Sequence, residues 1–275
     1  MKPQTLLSQL ALLGSIPFAL ADTLNIVAHQ DDDLLFFSPD LIRDILSGQA
    51  VRTIFLTAGD AGNGASYWQN RQLGSQAAYA RMAIASNNWQ ETDAGIPGKE
   101  ISVYTLADNA SISLVFMHLP DGNMDGTGFA SDNNDSLQKL WDGRIDHITS
   151  VDGSGTTYTR DELIHTLTAL IDDFDPDELK TQDYHNTFGD GDHSDHYATA
   201  FFATSALDQT RSHPDLTGYL GYGINNSPVN LDASDIEDKT NIFYEYAVHD
   251  QGTCSTATGC STRPESGWLQ RQYTI

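Results

Sequence analysis

Short apolar runs alternate with amphipathic helical patterns along most of this chain, and that alternation restricts the fold more than any other feature. "TLNIVA", residues 23–28, reads as a buried strand. In "SPDLIRDILSGQ", Leu41, Ile42, Ile45 and Leu46 share a helical face, with Ser38 as cap, Pro39 in the first turn and Gly48 as the stop. "AVRTIFLTAGD" is the next strand, and "SYWQNRQLGSQAAYARMAIAS" a long helix with an Ala-rich face. "ISVYTLA" and "ISLVFMHLPDG" are strands separated by a turn, and the Gly-, Asn- and Asp-rich residues 121–136 form an ordered surface loop. A helix follows in which Thr159 and Glu162 make a capping box, with Leu163, Leu167, Leu170 and Ile171 on its apolar face. "ELKTQD" is a strand, "HYATAFFATSALDQT" a helix and "GYLGYGI" a late strand. With no repeat and no low-complexity linker, the pattern predicts one α/β, Rossmann-like domain, a mostly parallel sheet with helices on both faces.

The N-terminus carries Lys2, an apolar stretch from Leu6 to Ala19, and the cleavage pattern Ala19-Leu20-Ala21. This is expected to be a secretory signal over residues 1–21, leaving a mature domain over 22–275 and no transmembrane anchor after cleavage. An extracellular location suits the two cysteines, Cys254 and Cys260, which read as one local disulfide in the C-terminal tail. Closing so short a loop stabilises by roughly 2–3 kcal/mol. Sequons at Asn109, Asn134 and Asn225 fit the same route. The 275 residues carry a formal charge of -24, which repels nucleic acid and anionic lipid and favours neutral or cationic ligands and bound cations.

Ligands of open parallel sheets sit at the carboxyl ends of strands. The first strand runs there into His29, Asp31, Asp32 and Asp33, and "FGDGDHSDH" brings Asp190, Asp192, His193, Asp195 and His196 before a helix. Like charges crowded on a strand tip call for a cation, and imidazole with carboxylate suits zinc with an open coordination position. A solvated histidine and turn-forming aspartates are the plainer reading of either cluster alone.

The chain resembles the PIG-L / LmbE-like zinc de-N-acetylases, as a secreted, fungal-type member. The resemblance rests on Ala28-His29-Gln30-Asp31-Asp32, on His193-Ser194-Asp195-His196, on "TAGDAGNGASYWQNR" with Arg71, on "LPDG" ending at Gly122 and on the helix from Lys239. It implies one zinc ion held by His29, Asp32 and His196, and Asp31 as the general base. It also implies a protonated His193 that stabilises the oxyanion, its pKa raised by Asp195. Arg71 and Asp121 would contact sugar hydroxyls, each with an ion pair or turn role as the alternative. The substrate implied is an N-acetylglucosamine-type sugar or oligosaccharide that loses its acetyl group. Three positions depart from the family pattern: Gln30 replaces proline and is expected to loosen the turn, Asp33 replaces glutamate, and Gly74 stands where a glutamate usually follows the arginine, which unsettles the sugar-contacting helix.

Asp183 is a candidate to orient a ligand from behind, and His185 and His249 to line the pocket. Tyr67, Trp68, Tyr184 and Phe188 are candidate stacking aromatics at the rim. A metal-containing carbohydrate-binding module without turnover, or an amidase or esterase acting on another bond, are the competing functions; the intact Asp31 and His193 speak against the first.

Overall fold

The computed structural model describes residues 21–275; the leader read at 1–21 lies, but for its last residue, outside the described residues. Five parallel strands form the centre: β1 (Thr23–Val27), β2 (Val51–Thr57), β5 (Ile112–Leu119), β8 (Glu178–Gln182) and β9 (Asp215–Tyr219). Two antiparallel strands, β3 (Trp89–Asp93) and β4 (Ser102–Leu106), extend the β5 edge and complete the order β3-β4-β5-β2-β1-β8-β9. A separate hairpin joins β6 (Ile148–Thr149) to β7 (Thr157–Tyr158).

The central strands β1, β2, β5 and β8 are buried on both faces, as is usual for parallel strands covered by helices. Val27, Phe55 and Phe116 face one core with α1 (Asp40–Ser47), α2 (Ala65–Met82) and α6 (Ala233–Ala247). Ile26, Ile54 and Val115 face the other, with α3 (Leu137–Trp141), α4 (Arg160–Phe174) and α5 (Ser194–Leu207). The Thr159–Glu162 capping box forms as expected, both bonds present. The chain leaves β1 for β2 on one side and later returns to β8 on the other, so β1 and β8 flank the point where strand order reverses. Ligands of such sheets bind there.

Some elements differ from expectation. β3 is polar and mostly exposed, so it carried no apolar run to read. Between β1 and α1 a buried π-helical turn, Asp33–Phe37, intervenes, and α1 starts past Ser38, whose hydroxyl makes no capping bond to it. Leu46 is 58% exposed rather than packed. "GYLGYGI" divides: β9 ends at Tyr219, and a 3₁₀ turn runs over Tyr222–Asn226. The Cys254–Cys260 disulfide is present, followed by two short helices, α7 (Ala257–Cys260) and α8 (Glu265–Trp268). Of the sequon asparagines, Asn225 is turned inward, its amide donating to the Pro264 carbonyl at 3.1 Å. Among the described residues no helix is long and apolar enough to cross a membrane.

Candidate active site

The tip of β1 and the turn after β8 converge. His29, Asp32 and His196 place one donor atom each within 4.8 Å of one another, all buried. Each of the three is aimed. Asp32 Oδ2 accepts the His29 N–H at 2.7 Å and the Gln182 amide at 2.9 Å, which leaves Oδ1 facing His196 Nε2 at 3.0 Å. His196 Nδ1 pairs with Asp192 Oδ1 at 2.9 Å, which puts that ring's proton on Nδ1. Its Nε2 is then a buried lone pair, and it has no hydrogen-bond partner among the described residues. His29 directs Nδ1 towards Asp32 Oδ2 (3.2 Å) and Nε2 towards Asp195 Oδ2 (3.3 Å).

Two imidazoles, each backed by a carboxylate, and one carboxylate pinned by donors form the arrangement seen around metal-ligating histidines. The orphaned His196 Nε2 is the observation that fits a cation; a buried polar atom left unpaired is costly. A second grouping, His29 with Asp121, His193 and Asp195, shares His29. There, however, Asp195 Oδ2 is already engaged by the Gly122 N–H at 2.7 Å, and Asp121 Oδ1 by the Asn123 N–H at 2.8 Å. Gly122 is required for that approach, because a Cβ there would lie 2.4 Å from Asp195 Oδ1.

A cavity of about 270 Å³ opens beside these residues, lined by His29, Asp31, Arg71, Asp121, His193 and Tyr222, with Met124 and Phe129 at its apolar edge. Asp31 Oδ1 accepts from Arg71 Nη2 at 2.8 Å. Burial pushes the Asp31 carboxyl up to about 6, against the pull of Arg71 and with a further push from Asp32 and Asp250. His193 caps α5, its Nδ1 accepting the Asp195 N–H at 3.1 Å, so the neutral ring carries its proton on Nε2.

The charge on His193 is set by opposing neighbours. Burial and the neighbouring His29 lower its imidazole to about 4; Asp195 and Asp121 pull upward but are outweighed. Asp195 serves His29 and the Gly122 backbone, and its Oδ2 lies 3.8 Å from His193 Nδ1. With Nδ1 engaged by the Asp195 N–H, His193 presents its Nε2–H at the cavity wall.

Arg71 is 7% exposed and held from four sides: Asp31, the Gly59 carbonyl (2.6 Å), the Tyr246 hydroxyl (2.8 Å) and Asp250 Oδ2 (3.0 Å). It clamps Asp31, so of the two roles open for it the ion pair is the one these contacts describe. Asp121 stays in the cavity wall. Gln30 tightens its turn rather than loosening it, since its amide donates to Thr57 O at 3.1 Å and its own carbonyl accepts from Ser75 Oγ at 2.9 Å. Asp33, fully buried, takes the Tyr79 hydroxyl at 2.5 Å, and burial raises its carboxyl to about 8. Gly74 packs against α6 instead of facing the cavity.

Asp183 does not reach a ligand; it closes its own loop by accepting from the His185 and Asn186 N–H groups. The orienting residues are Asp192 and Gln182. Asp192 was visible in its cluster without a role, and Gln182 ends a strand beside β1 with no sequence signal. His185, His249, Tyr67, Trp68, Tyr184 and Phe188 are not among the residues lining the cavity.

Structural comparison finds likeness to solved proteins at low identity. A 4-carboxy-2-hydroxymuconate hydratase from Pseudomonas putida KT2440 is 12% identical, with 90% of this chain and 82% of that one covered and a TM-score of 0.49. A deacetylase triple mutant from the teicoplanin biosynthetic pathway is 13% identical, covering 90% and 88%, with a TM-score of 0.49. An N,N'-diacetylchitobiose deacetylase from Pyrococcus horikoshii is 13% identical, covering 89% and 77%, with a TM-score of 0.47. Comparison with curated protein sequences gives no match. The family model described as PIG-L, GlcNAc-PI de-N-acetylase, matches residues 24–207. Both the His29–Asp32 loop and the His193–His196 turn fall inside that stretch, and the chain belongs to the PIG-L family.

Proposed function

We propose that this protein is a secreted, zinc-dependent hydrolase that removes the acetyl group from an N-acetylglucosamine-type sugar or oligosaccharide. The observation that carries the reading is the convergence of Asp32 Oδ1 and the His196 Nε2 lone pair with His29, directly beside the Asp31 carboxylate in the cavity wall. Two imidazoles and a carboxylate are a donor set that zinc takes in catalytic sites. When bound there, zinc supplies a Lewis acid that polarises an acetamide carbonyl and makes a neighbouring water more acidic.

The chain's own residues divide the remaining work. Arg71 occupies Asp31 Oδ1, which leaves Oδ2 to take a proton from the attacking water. As the water oxygen bonds to the acetyl carbon, negative charge gathers on the carbonyl oxygen, and the His193 Nε2–H is placed to donate to it. Asp31 then returns its proton to the nitrogen as the C–N bond breaks, and the acetic acid and amine so formed exchange a proton to leave as acetate and an ammonium. Asp121 in the wall is a candidate to accept from a sugar hydroxyl, and a neutral substrate and a cationic product both suit the acidic surface. Secretion is supported by the leader pattern at residues 1–21 and by the Cys254–Cys260 disulfide.

The test is acetate release by the zinc-loaded protein from a panel of N-acetylated sugars and oligosaccharides, with Asp31→Asn alongside. Release that falls by at least about 10²-fold in the variant, at unchanged zinc content, is expected. Equal rates in the two proteins, or no release from any panel member, would refute the reading.

A further inference from the structure

A second cavity, of about 650 Å³, opens between α2, the β3–β4 edge and the loop joining β6 to β7, and it shares no lining residue with the first. Trp68 and Tyr104 give it aromatic walls, and Glu91, Glu100 and Asp152 bring three carboxylates to it. Glu91 Oε1 accepts from Ser102 Oγ at 3.0 Å. Among the described residues no lysine or arginine lines the cavity or pairs with any of the three carboxylates. Lys99, next to Glu100 in the chain, is engaged elsewhere: its amine donates to the Thr157 carbonyl and lies 4.6 Å from the centre of the Tyr158 ring.

His118, in the same lining, carries a second and independent signal. It is 5% exposed and lies against Trp68 with ring centroids 4.7 Å apart. Its Nε2 meets Gln72 Oε1 at 2.9 Å. Its buried Nδ1 has no hydrogen-bond partner among the described residues, since Asp152 Oδ2, 3.4 Å away, is out of line. A buried nitrogen left in that state is costly. Acidic side chains alone would be a solvated edge; an unsatisfied imidazole set among them, between aromatic walls, marks a site built for a ligand.

Unpaired carboxylates call for a cation, and an aromatic face takes either a cation or the apolar face of a sugar ring. A bare metal ion does not fit, because the described side chains close enough together to ligate one all lie at the first cavity. A cation that carries a ring and hydroxyls uses every wall, and the loss of an acetyl group from an N-acetylated sugar leaves such a group. We propose that this second cavity binds a protonated amino sugar, its ammonium among Glu91, Glu100 and Asp152 and its ring against Trp68 and Tyr104. That the ligand is made by the same protein rests on the deacetylase reading; the requirement for positive charge does not.

The experiment is calorimetry at low salt and near pH 6, where the sugar amine is protonated, with the glucosamine disaccharide of chitosan as the probe. Cellobiose, which has the same linkage and hydroxyls in place of the amines, is the neutral control. Wild type is expected to bind the diamine at least about fivefold more tightly than cellobiose, with affinities within about twofold in the presence and absence of zinc. The exposed pair Glu91→Gln and Glu100→Gln, made together, is expected to weaken the diamine by about fivefold or more at an unchanged thermal midpoint. No binding by wild type, or equal binding of the two sugars, overturns the proposal whether or not the variant folds. So does an affinity that the double variant leaves intact or that zinc removal abolishes, since the ligand then sits elsewhere. Charge-selective binding lost in the variant, with no acetate released from any N-acetylated sugar, upholds this site while the deacetylase reading fails; acetate release without charge-selective binding does the reverse.

Discussion

Asp192→Asn removes a charge while keeping a shape, and so isolates what a carboxylate behind a metal ligand contributes. Asp192 Oδ1 accepts from His196 Nδ1 (2.9 Å), from the His193 N–H (2.8 Å) and from the Tyr222 N–H (3.2 Å). An amide oxygen in the same position keeps all three contacts. What disappears is the negative charge that strengthens the His196 Nε2 lone pair. Partners of this kind are worth roughly 10–100-fold in metal affinity. With the shape retained, Asn belongs at the low end, about tenfold or about 1.4 kcal/mol. Asp192→Ala belongs at the high end, and it also strands two backbone N–H groups at roughly 1–3 kcal/mol of stability each. Zinc affinity is read by competition with a chromogenic chelator, and stability by thermal unfolding of the metal-free protein. If zinc binds the Asn variant within about twofold of wild type while the fold is intact, the orienting role given to Asp192 is wrong. If wild type itself fails to compete for zinc, the ligand set is wrong.

Two further predictions test the buried charges. Arg71→Met leaves Asp31 and Asp250 without their cation and is expected to cost roughly 3–5 kcal/mol, seen as a lower thermal midpoint together with lost activity; a raised KM at an unchanged midpoint would instead make Arg71 a substrate contact. Lys239 is buried with its amine donating to the Trp268 and Arg271 carbonyls at 3.0 and 2.7 Å, and burial lowers it to about 7 from 10.5, against a small upward pull from Asp40. Between about 7 and 10.5 the unfolded chain therefore holds a proton that the folded chain lacks, so this lysine makes stability rise with pH across that window. Lys239→Met should flatten the rise in urea midpoints measured from pH 6.5 to 9.5, and a slope identical to wild type refutes the neutral amine.

The parallel sheet was legible because its central strands are buried on both faces and so appear as largely apolar runs, of which "TLNIVA", broken by Asn25, and "ISLVFMHL" are the plainest. The residues converging on the candidate metal centre were legible for a different reason: His29, Asp32 and His196 are chemically expensive at a buried strand end unless something offsets them. What stayed hidden depends on direction rather than residue type. The sequence shows that Asp195 is near His193, but the turn into α5 points its carboxylate at His29 and only its N–H at the His193 ring. Gln182 and Tyr222 carry no pattern, since an amide ending a strand and a tyrosine after one are ordinary in the core of any such sheet.

Gly74 shows how a departure from the family pattern becomes intelligible in three dimensions. A Cβ at that position would lie 2.7 Å from Tyr246 Cδ2 and 2.8 Å from the Tyr246 carbonyl oxygen, so any larger residue would push α6 away from α2. With glycine there, Tyr246 comes close enough for its hydroxyl to meet Arg71 Nε at 2.8 Å, and that hydroxyl in turn binds Asp250 Oδ2 at 2.6 Å. Asp250 and Tyr246 both lie beyond the family-matched residues, and together they hold the arginine that holds Asp31. A glutamate at position 74 would bring a carboxylate to α2 but would cost this approach. In this chain Asp250, in the turn after α6, gives the arginine a second carboxylate beside Asp31, and the missing side chain at position 74 makes room for the Tyr246 that binds both Arg71 and Asp250.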